Sequence, residues 1–138
     1  MKVLVIDGQG GGLGKQLVAA VKTCDPDIEI VAVGTNSTAT NVMLKAGADQ
    51  AATGENSVVT VCRGADVIMG PVGIVIADAM LGEITPRMAQ AVGQSAAKRI
   101  LIPVNLCDNI VVGIENMSMG RRVECAVDAL KEIMASEG

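Results

Sequence analysis

The sequence predicts an α/β fold of three layers, a mainly parallel sheet with helices on both faces and a last strand running antiparallel. Three observations carry this expectation. Short aliphatic runs alternate along the chain with stretches of helical periodicity, the pattern of strands joined by crossover helices. The runs are apolar at consecutive positions, as in strands covered on both faces, where an alternating pattern would indicate one wet face. The 138 residues are 50% hydrophobic yet include no Phe, Tyr or Trp, so Val, Ile, Leu, Ala and Met must fill the core, a composition suited to a doubly covered parallel sheet.

Lys2 to Ile6 is an apolar run that stops at Asp7-Gly8, and Leu13, Leu17, Val18 and Val21 follow at helical spacing. Cys24-Asp25-Pro26-Asp27 breaks that helix, and Ile28 to Val33 forms a second strand ending at Gly34-Thr35-Asn36. A helix over about 38–46 closes at Gly47, a residue suited to a left-handed cap. Asp49 to Ala52 reads as a brief third strand, followed by a helix reaching about Arg63. Asp66 to Met69 resumes the sheet, and a helical stretch is expected from Ile74 to Leu81. Thr85-Pro86 is an N-cap followed by proline at the first helical position, so another helix starts there and runs to about Ser95. Arg99 to Val104 is the next strand. Ile110 to Ile114 follows too soon for a parallel crossover, which needs about a dozen residues, and is therefore expected to pair antiparallel. A final helix over about 120–135 carries Val123, Val127, Leu130 and Met134 on one face.

Composition narrows the function classes. The length suits one domain with a single core. The longest uncharged stretch of the apolar middle, Val67 to Ala77, falls well short of the roughly 20 residues that span a bilayer. Met1-Lys2 leads straight into the first strand without the features of a signal peptide, and Cys24, Cys62, Cys107 and Cys125 form no paired spacing. A cytoplasmic protein with reduced thiols is expected. The absence of histidine removes His-based triads and His-ligated zinc. A net charge of -4 and the lack of aromatic rings argue against nucleic acid as a partner.

The informative segment is Gly8, Gln9, Gly10, Gly11, Gly12, Leu13, Gly14 and Lys15, between a predicted strand and a predicted helix. Backbone N–H groups at a helix start lack intrahelical partners, the helix dipole is positive there, and glycine lets an anion approach closely. The template GxGxxG fails at Leu13, whereas GxxxGxG is met by Gly8, Gly12 and Gly14 and resembles the turn of short-chain dehydrogenases. Those enzymes use a tyrosine that this chain lacks. The P-loop template fails at Gln9 and Gln16, although Lys15 is placed to neutralise a phosphate. A small phosphorylated ligand, such as NAD(P) or a mononucleotide, is the expected occupant.

In open parallel sheets ligands bind beyond the carboxyl ends of the strands. The loops expected there are the glycine turn, Gly34-Thr35-Asn36, the 53–56 loop, Gly70-Pro71-Val72-Gly73 and Asn105 to Asp108. Thr35, Asn36 and Gly70 are the ligand contacts expected outside the turn. The dinucleotide pattern places an acid after the second strand, where this chain has Thr35 and Asn36. Asp7 has two readings, a group facing the ligand or a tie for its own turn. Glu55 and Glu83 are candidate acids or bases, Asp78 a buried polar contact or interface residue, and Cys107 a rim thiol without a histidine to activate it.

The motifs IDGQGGGLGK, GTN, ATGEN, GPVGI, LGEITP and LIPVN, in this order, resemble a family of small uncharacterised bacterial proteins of unknown function. The resemblance implies a Rossmann-like domain and assigns no activity. Two other functions stay open at this point: a small enzyme using a carboxylate on a phosphorylated substrate, and a ligand-free assembly subunit. So aliphatic a chain is also expected to form a homo-oligomer.

Overall fold

Alternation along one strand organises the molecule, which a computed structural model describes over residues 1–104 and 108–137. Val3 and Val5 of β1 (Lys2–Asp7) enter one core, and Leu4 and Ile6 enter another on the opposite face. Successive strand residues point to opposite sides, so a strand with two covered faces is apolar throughout.

The strands that follow are β2 (Glu29–Gly34), β3 (Gln50–Thr53), β4 (Val67–Pro71) and β5 (Lys98–Ile102). They form a five-stranded, all-parallel sheet in the order β3-β2-β1-β4-β5. This is the Rossmann-like order, in which the chain reverses its direction of travel between β1 and β4 and leaves a crevice there at the carboxyl ends of the strands.

The helices are α1 (Gly12–Cys24), α2 (Ser37–Lys45), α3 (Glu55–Cys62), α4 (Pro86–Gln94) and α5 (Met119–Glu137). Helices α1, α2 and α5 bury Leu17, Met43 and Leu130 against Val3 and Val5. On the other face α3 and α4 bury Val58, Met88 and Val92 against Leu4 and Ile6, together with a 3-10 turn at Val72–Val75. Each fully buried Leu or Met side chain contributes roughly 1.5–3 kcal/mol over leaving it exposed. Local signals set the starts: Asn36 accepts from the Ala39 N–H to cap α2, and Thr85 accepts from the Met88 N–H to cap α4, with Pro86 at its first position. Gly47 closes the α2 region at φ +123°.

Two expected elements are absent. Residues 74–81 are not a helix: after the 3-10 turn, Ile76 is extended, and Asp78, Met80 and Leu81 adopt left-handed backbone angles. Their apolar side chains reflect a loop plugged into the core, with Ala79, Met80 and Ile84 all buried. Nor is Ile110 to Ile114 an antiparallel strand; β5 is the last strand and runs parallel. Beyond Ile102 the Val104 N–H turns back onto the Ile102 carbonyl at 2.8 Å, which takes the chain away from the sheet. Branched aliphatics favour a strand only where a neighbouring surface covers them, and here Ile110 and Val112 are 89% and 86% exposed.

Candidate functional site

β1 ends in Asp7, whose carboxylate shapes the turn that follows. Oδ1 accepts from the Gly8 N–H at 2.8 Å and Oδ2 from the Gly14 N–H at 2.7 Å. The Gly11 N–H closes the turn on the Gly8 carbonyl at 2.9 Å, and Gly11 caps α1 at φ +72°. Burial raises the Asp7 pKa above its ordinary value; the two backbone donors oppose the rise and the nearby Glu83 charge adds to it. Of its two expected roles, Asp7 adopts the one that ties down its own turn.

The glycines of the turn divide by the space around them. A Cβ on Gly8 would lie 2.7 Å from Thr35 Oγ1, on Gly11 2.6 Å from Val42 Cγ2, and on Gly14 2.5 Å from Met43 Sδ. Gly11 and Gly14 are required by the packing against α2, and Gly8 by the closeness of Thr35, Met80 and Glu83. A Cβ on Gly10 or Gly12 would meet nothing within 4 Å, and both residues are exposed. Among the described residues, the N–H groups of Gly10, Gly12 and Leu13 have no hydrogen-bond partner within the protein. The Leu13 side chain is buried beneath them, while Lys15 is exposed on the first turn of α1, with no ion pair among the described residues.

Glu83 arrives at this turn from the loop between β4 and α4. Its Oε1 accepts three hydrogen bonds, from Thr35 Oγ1 at 2.6 Å, the Gln9 N–H at 2.8 Å and Asn36 Nδ2 at 2.9 Å. Asn36 also donates to the Gln9 carbonyl at 2.9 Å, so one side chain caps α2, braces the glycine turn and holds Glu83. Partial burial works to raise the Glu83 pKa, but Thr35, Gln9 and Asn36 together hold it below the ordinary value. Its second oxygen, Oε2, has no hydrogen-bond partner among the described residues and belongs to a partly exposed side chain.

The loop that delivers Glu83 is strained and internally bonded. Asp78, Met80 and Leu81 have φ of 65°, 59° and 56°, a region costing roughly 1–2 kcal/mol per non-glycine residue. The Asp78 N–H donates to the Ile84 carbonyl at 2.7 Å and the Ile84 N–H to the Ala79 carbonyl at 3.1 Å. Met80 and Ile84, 3% and 0% exposed, pin the loop to the core, and Leu81 at its tip is 99% exposed. Such strain persists where the surroundings over-determine it, and it concentrates at functional sites.

The structure thus gathers Gly8 to Lys15, Thr35 and Asn36 at one place and adds Glu83. The other candidates have structural duties. Gly70 is buried, and a Cβ there would collide with the Ile6 carbonyl, so its glycine serves the approach of β4 to β1. Thr53 shares a hydrogen bond with Thr40 at 2.7 Å, and Glu55 pairs with Arg87 at 3.7 Å. Asp78 is exposed, which corrects its reading as a buried contact. Asn105, Leu106 and Cys107 lie outside the described residues. Cavities of about 430, 280 and 570 Å³ lie between α3 and α4, between β5 and α5, and between α1 and α5. None of these three includes a glycine-turn residue. Among the described residues no group of three or more His, Cys, Asp or Glu side chains is placed to hold a metal ion, and no helix is long and apolar enough to cross a membrane.

No curated protein matches the chain. Solved structures resemble its fold, including the following two. One is apo saccharopine dehydrogenase (L-Glu forming) from Saccharomyces cerevisiae, at 14% identity and TM-score 0.48, over 91% of this chain but only 24% of that one. This chain therefore spans about a quarter of that enzyme's length, the covered share being 24%. The other is a dodecameric FMN-dependent UbiX-like decarboxylase from Escherichia coli O157:H7, at 18% identity and TM-score 0.48, over 95% of this chain and 77% of that one. The family described as "Domain of unknown function (DUF3842)" matches residues 2–135, and the chain belongs to it.

Proposed function

We propose that the protein binds a small phosphorylated ligand that also carries hydroxyl groups, a nucleotide such as NAD(P) or a mononucleotide, over the glycine turn. The phosphate takes the N–H groups of Gly10, Gly12 and Leu13, where the start of α1 supplies a positive dipole end, and Lys15 adds a cation. Glu83 Oε2 accepts from ligand hydroxyls. A carboxylate in that position would repel a phosphate and attract a sugar, so the ligand is oriented with its phosphate toward Gly12 and its hydroxyls toward Thr35 and Asn36. The dinucleotide pattern uses an acid at the end of the second strand for the same task; here the acid comes from the loop after β4 and is held at the end of β2 by Thr35 and Asn36.

The observation that carries this reading is the pairing of open space with bare donors at Gly10 and Gly12. Neither residue needs to be glycine for packing, and neither has a positive φ, so close approach from outside accounts for both. Asp7, with both oxygens given to backbone donors, leaves Glu83 as the carboxylate that meets the ligand. We place the protein in the cytoplasm, consistent with free thiols at Cys24, Cys62 and Cys125.

Thermal unfolding with NAD, NADP, AMP, ATP, FMN and ribose phosphate tests the reading. A ligand at ~100 times its Kd adds about 2.7 kcal/mol to the folded state, a clear rise in Tm. No shift from any of them, or a shift that survives Gly12→Val undiminished, overturns it.

A further inference from the structure

Glu83 is a fixed carboxylate with one oxygen to spare. The donors that hold Oε1 come from two separate segments, the glycine turn at Gln9 and the end of β2 at Thr35 and Asn36. Behind the side chain there is little room to withdraw. A Cβ on Gly8 would lie 2.8 Å from Met80 Sδ and 3.0 Å from Glu83 Oε1, and Met80 is itself buried. Moving Glu83 aside breaks three hydrogen bonds to a charged acceptor, which are stronger than neutral ones. A ligand on the glycine turn must therefore accommodate Oε2 where it stands.

The cations of the chain do not soften that charge. Crossover helices run against the strands they join. Lys22 and Lys45 in the last turns of α1 and α2, and Arg63 just after α3, accordingly lie toward the amino ends of the strands; Lys22 Nζ donates to the Ile28 carbonyl just ahead of β2. Among the described residues near the carboxyl ends, Arg87 pairs with Glu55 at 3.7 Å and Arg121 with Glu124 at 3.0 Å, and Arg122 donates to the Pro103 and Met117 carbonyls. Lys15 is left, and it stands on the first turn of α1, close in sequence to the bare amides. The first turn of α2, whose cap Asn36 holds Glu83, presents Ser37 and Thr38, both exposed and neutral. The site thus has a positive side at Gly10 to Lys15 and a negative side at Glu83.

We infer that Glu83 makes the site selective for a ribose whose hydroxyls are free, so that a second phosphate on the ribose diol excludes the ligand. This rests on the binding reading above and narrows it to NAD over NADP, and to AMP over AMP phosphorylated again on its ribose. Oε2 accepts from a hydroxyl and has no proton to offer a phosphate, which would meet a like charge with no cation beside it. Specificity of this kind comes as much from the repulsion built against the wrong ligand as from contacts to the right one.

Calorimetric titration with two ligand pairs tests the inference: NAD against NADP, and AMP against AMP with a second phosphate on its ribose. In the wild type, the member with the free ribose is expected to bind at least about tenfold more tightly, a difference of roughly 1.4 kcal/mol. Glu83→Gln removes the charge and keeps an acceptor for Thr35 and Gln9, and should shrink that preference. Ser37→Arg leaves Glu83 in place, brings a cation to its side, and should raise affinity for the member with the extra phosphate. Ligand-free melting curves check that each variant folds. Equal affinities within a pair, or a preference that Glu83→Gln leaves undiminished, overturn the inference and leave the binding reading standing. Should Glu83→Gln not fold, Ser37→Arg decides, and an unchanged preference in that variant overturns it. Binding of FMN but of none of the four also overturns the inference alone, whereas no binding by any of them removes the reading and the inference together.

Discussion

The hydroxyl of Thr35 donates to Glu83 Oε1 at 2.6 Å, across 48 positions of sequence. That bond joins the end of β2 to the loop after β4 and places a carboxylate against the glycine turn, where Gln9 and Asn36 add further donors. Hydrogen bonds to a charged group contribute more than neutral ones, roughly 1.5–3 kcal/mol when well desolvated. Glu83→Ala is therefore expected to destabilise the protein by about 1–2 kcal/mol, a partly exposed site letting water replace some of the loss. Urea unfolding measures this, and an unchanged midpoint would show that the cluster contributes nothing.

Glu83 also sets part of the response to acid. Its folded pKa is depressed, so its contribution is complete above the ordinary carboxylate range and is lost as pH falls through the depressed value. The stability gap between wild type and Glu83→Gln should be widest near neutrality and should narrow in acid. Asp49, depressed by the Ile30 N–H and by Lys22, acts in the same direction. Asp7 acts oppositely: its raised pKa gives a contribution that is full below the ordinary carboxylate range and lost as pH rises through the raised value. Asp7→Asn should consequently steepen the acid-side decline. Urea titrations over a pH series decide the matter, and parallel curves for all three proteins would contradict it.

Two neighbouring glycines should respond in opposite senses. Gly12→Ala enters open space at the first position of α1 and is expected to leave stability unchanged or raise it by up to about 1 kcal/mol, while weakening any phosphorylated ligand. Gly14→Ala puts a Cβ 2.5 Å from Met43 Sδ and 2.9 Å from Asp7 Cβ, an overpacking that costs roughly 1–3 kcal/mol. Melting curves with and without ligand separate the two effects.

Leu81, 99% exposed at φ 56°, makes no packing contribution that would offset its backbone strain. Leu81→Gly should raise stability by up to about 1 kcal/mol, the relief of strain being partly cancelled by the greater freedom of glycine in the unfolded chain. A lower Tm for this variant would mean that the leucine side chain has a partner in the folded protein.

Gly70→Ala should be more damaging than any of these, because the added methyl group meets the Ile6 backbone, which cannot rotate aside as a side chain can. A loss of about 2 kcal/mol or more in urea unfolding is expected. Tolerance of alanine there would show that β1 and β4 can separate without cost.

The sequence made the first strand, turn and helix legible because every cue was local: a continuous aliphatic run, then glycines, then apolar residues at helical spacing. Thr85-Pro86 announced α4 for the same reason. Glu83 was weighed as an acid or base, but its place beside Thr35 and Asn36 had no local sign. The contact depends on a left-handed path through Asp78, Met80 and Leu81, residues that do not advertise such angles. The two misread segments failed for a related reason. Ile74 to Leu81 and Ile110 to Ile114 are apolar, and apolarity reports that a residue seeks cover without reporting which element supplies it. In the first case the core covers a loop, and in the second Ile110 and Val112 stay exposed.

Both cores are built from aliphatic and sulfur-containing side chains alone, in a chain with no Phe, Tyr or Trp. The polypeptide is in consequence nearly transparent in the near ultraviolet and has no fluorescence of its own there. A purine, flavin or nicotinamide carried through purification would be the dominant chromophore in the cuvette. Its spectrum could be read directly from the folded protein, without a label or a subtraction for aromatic residues.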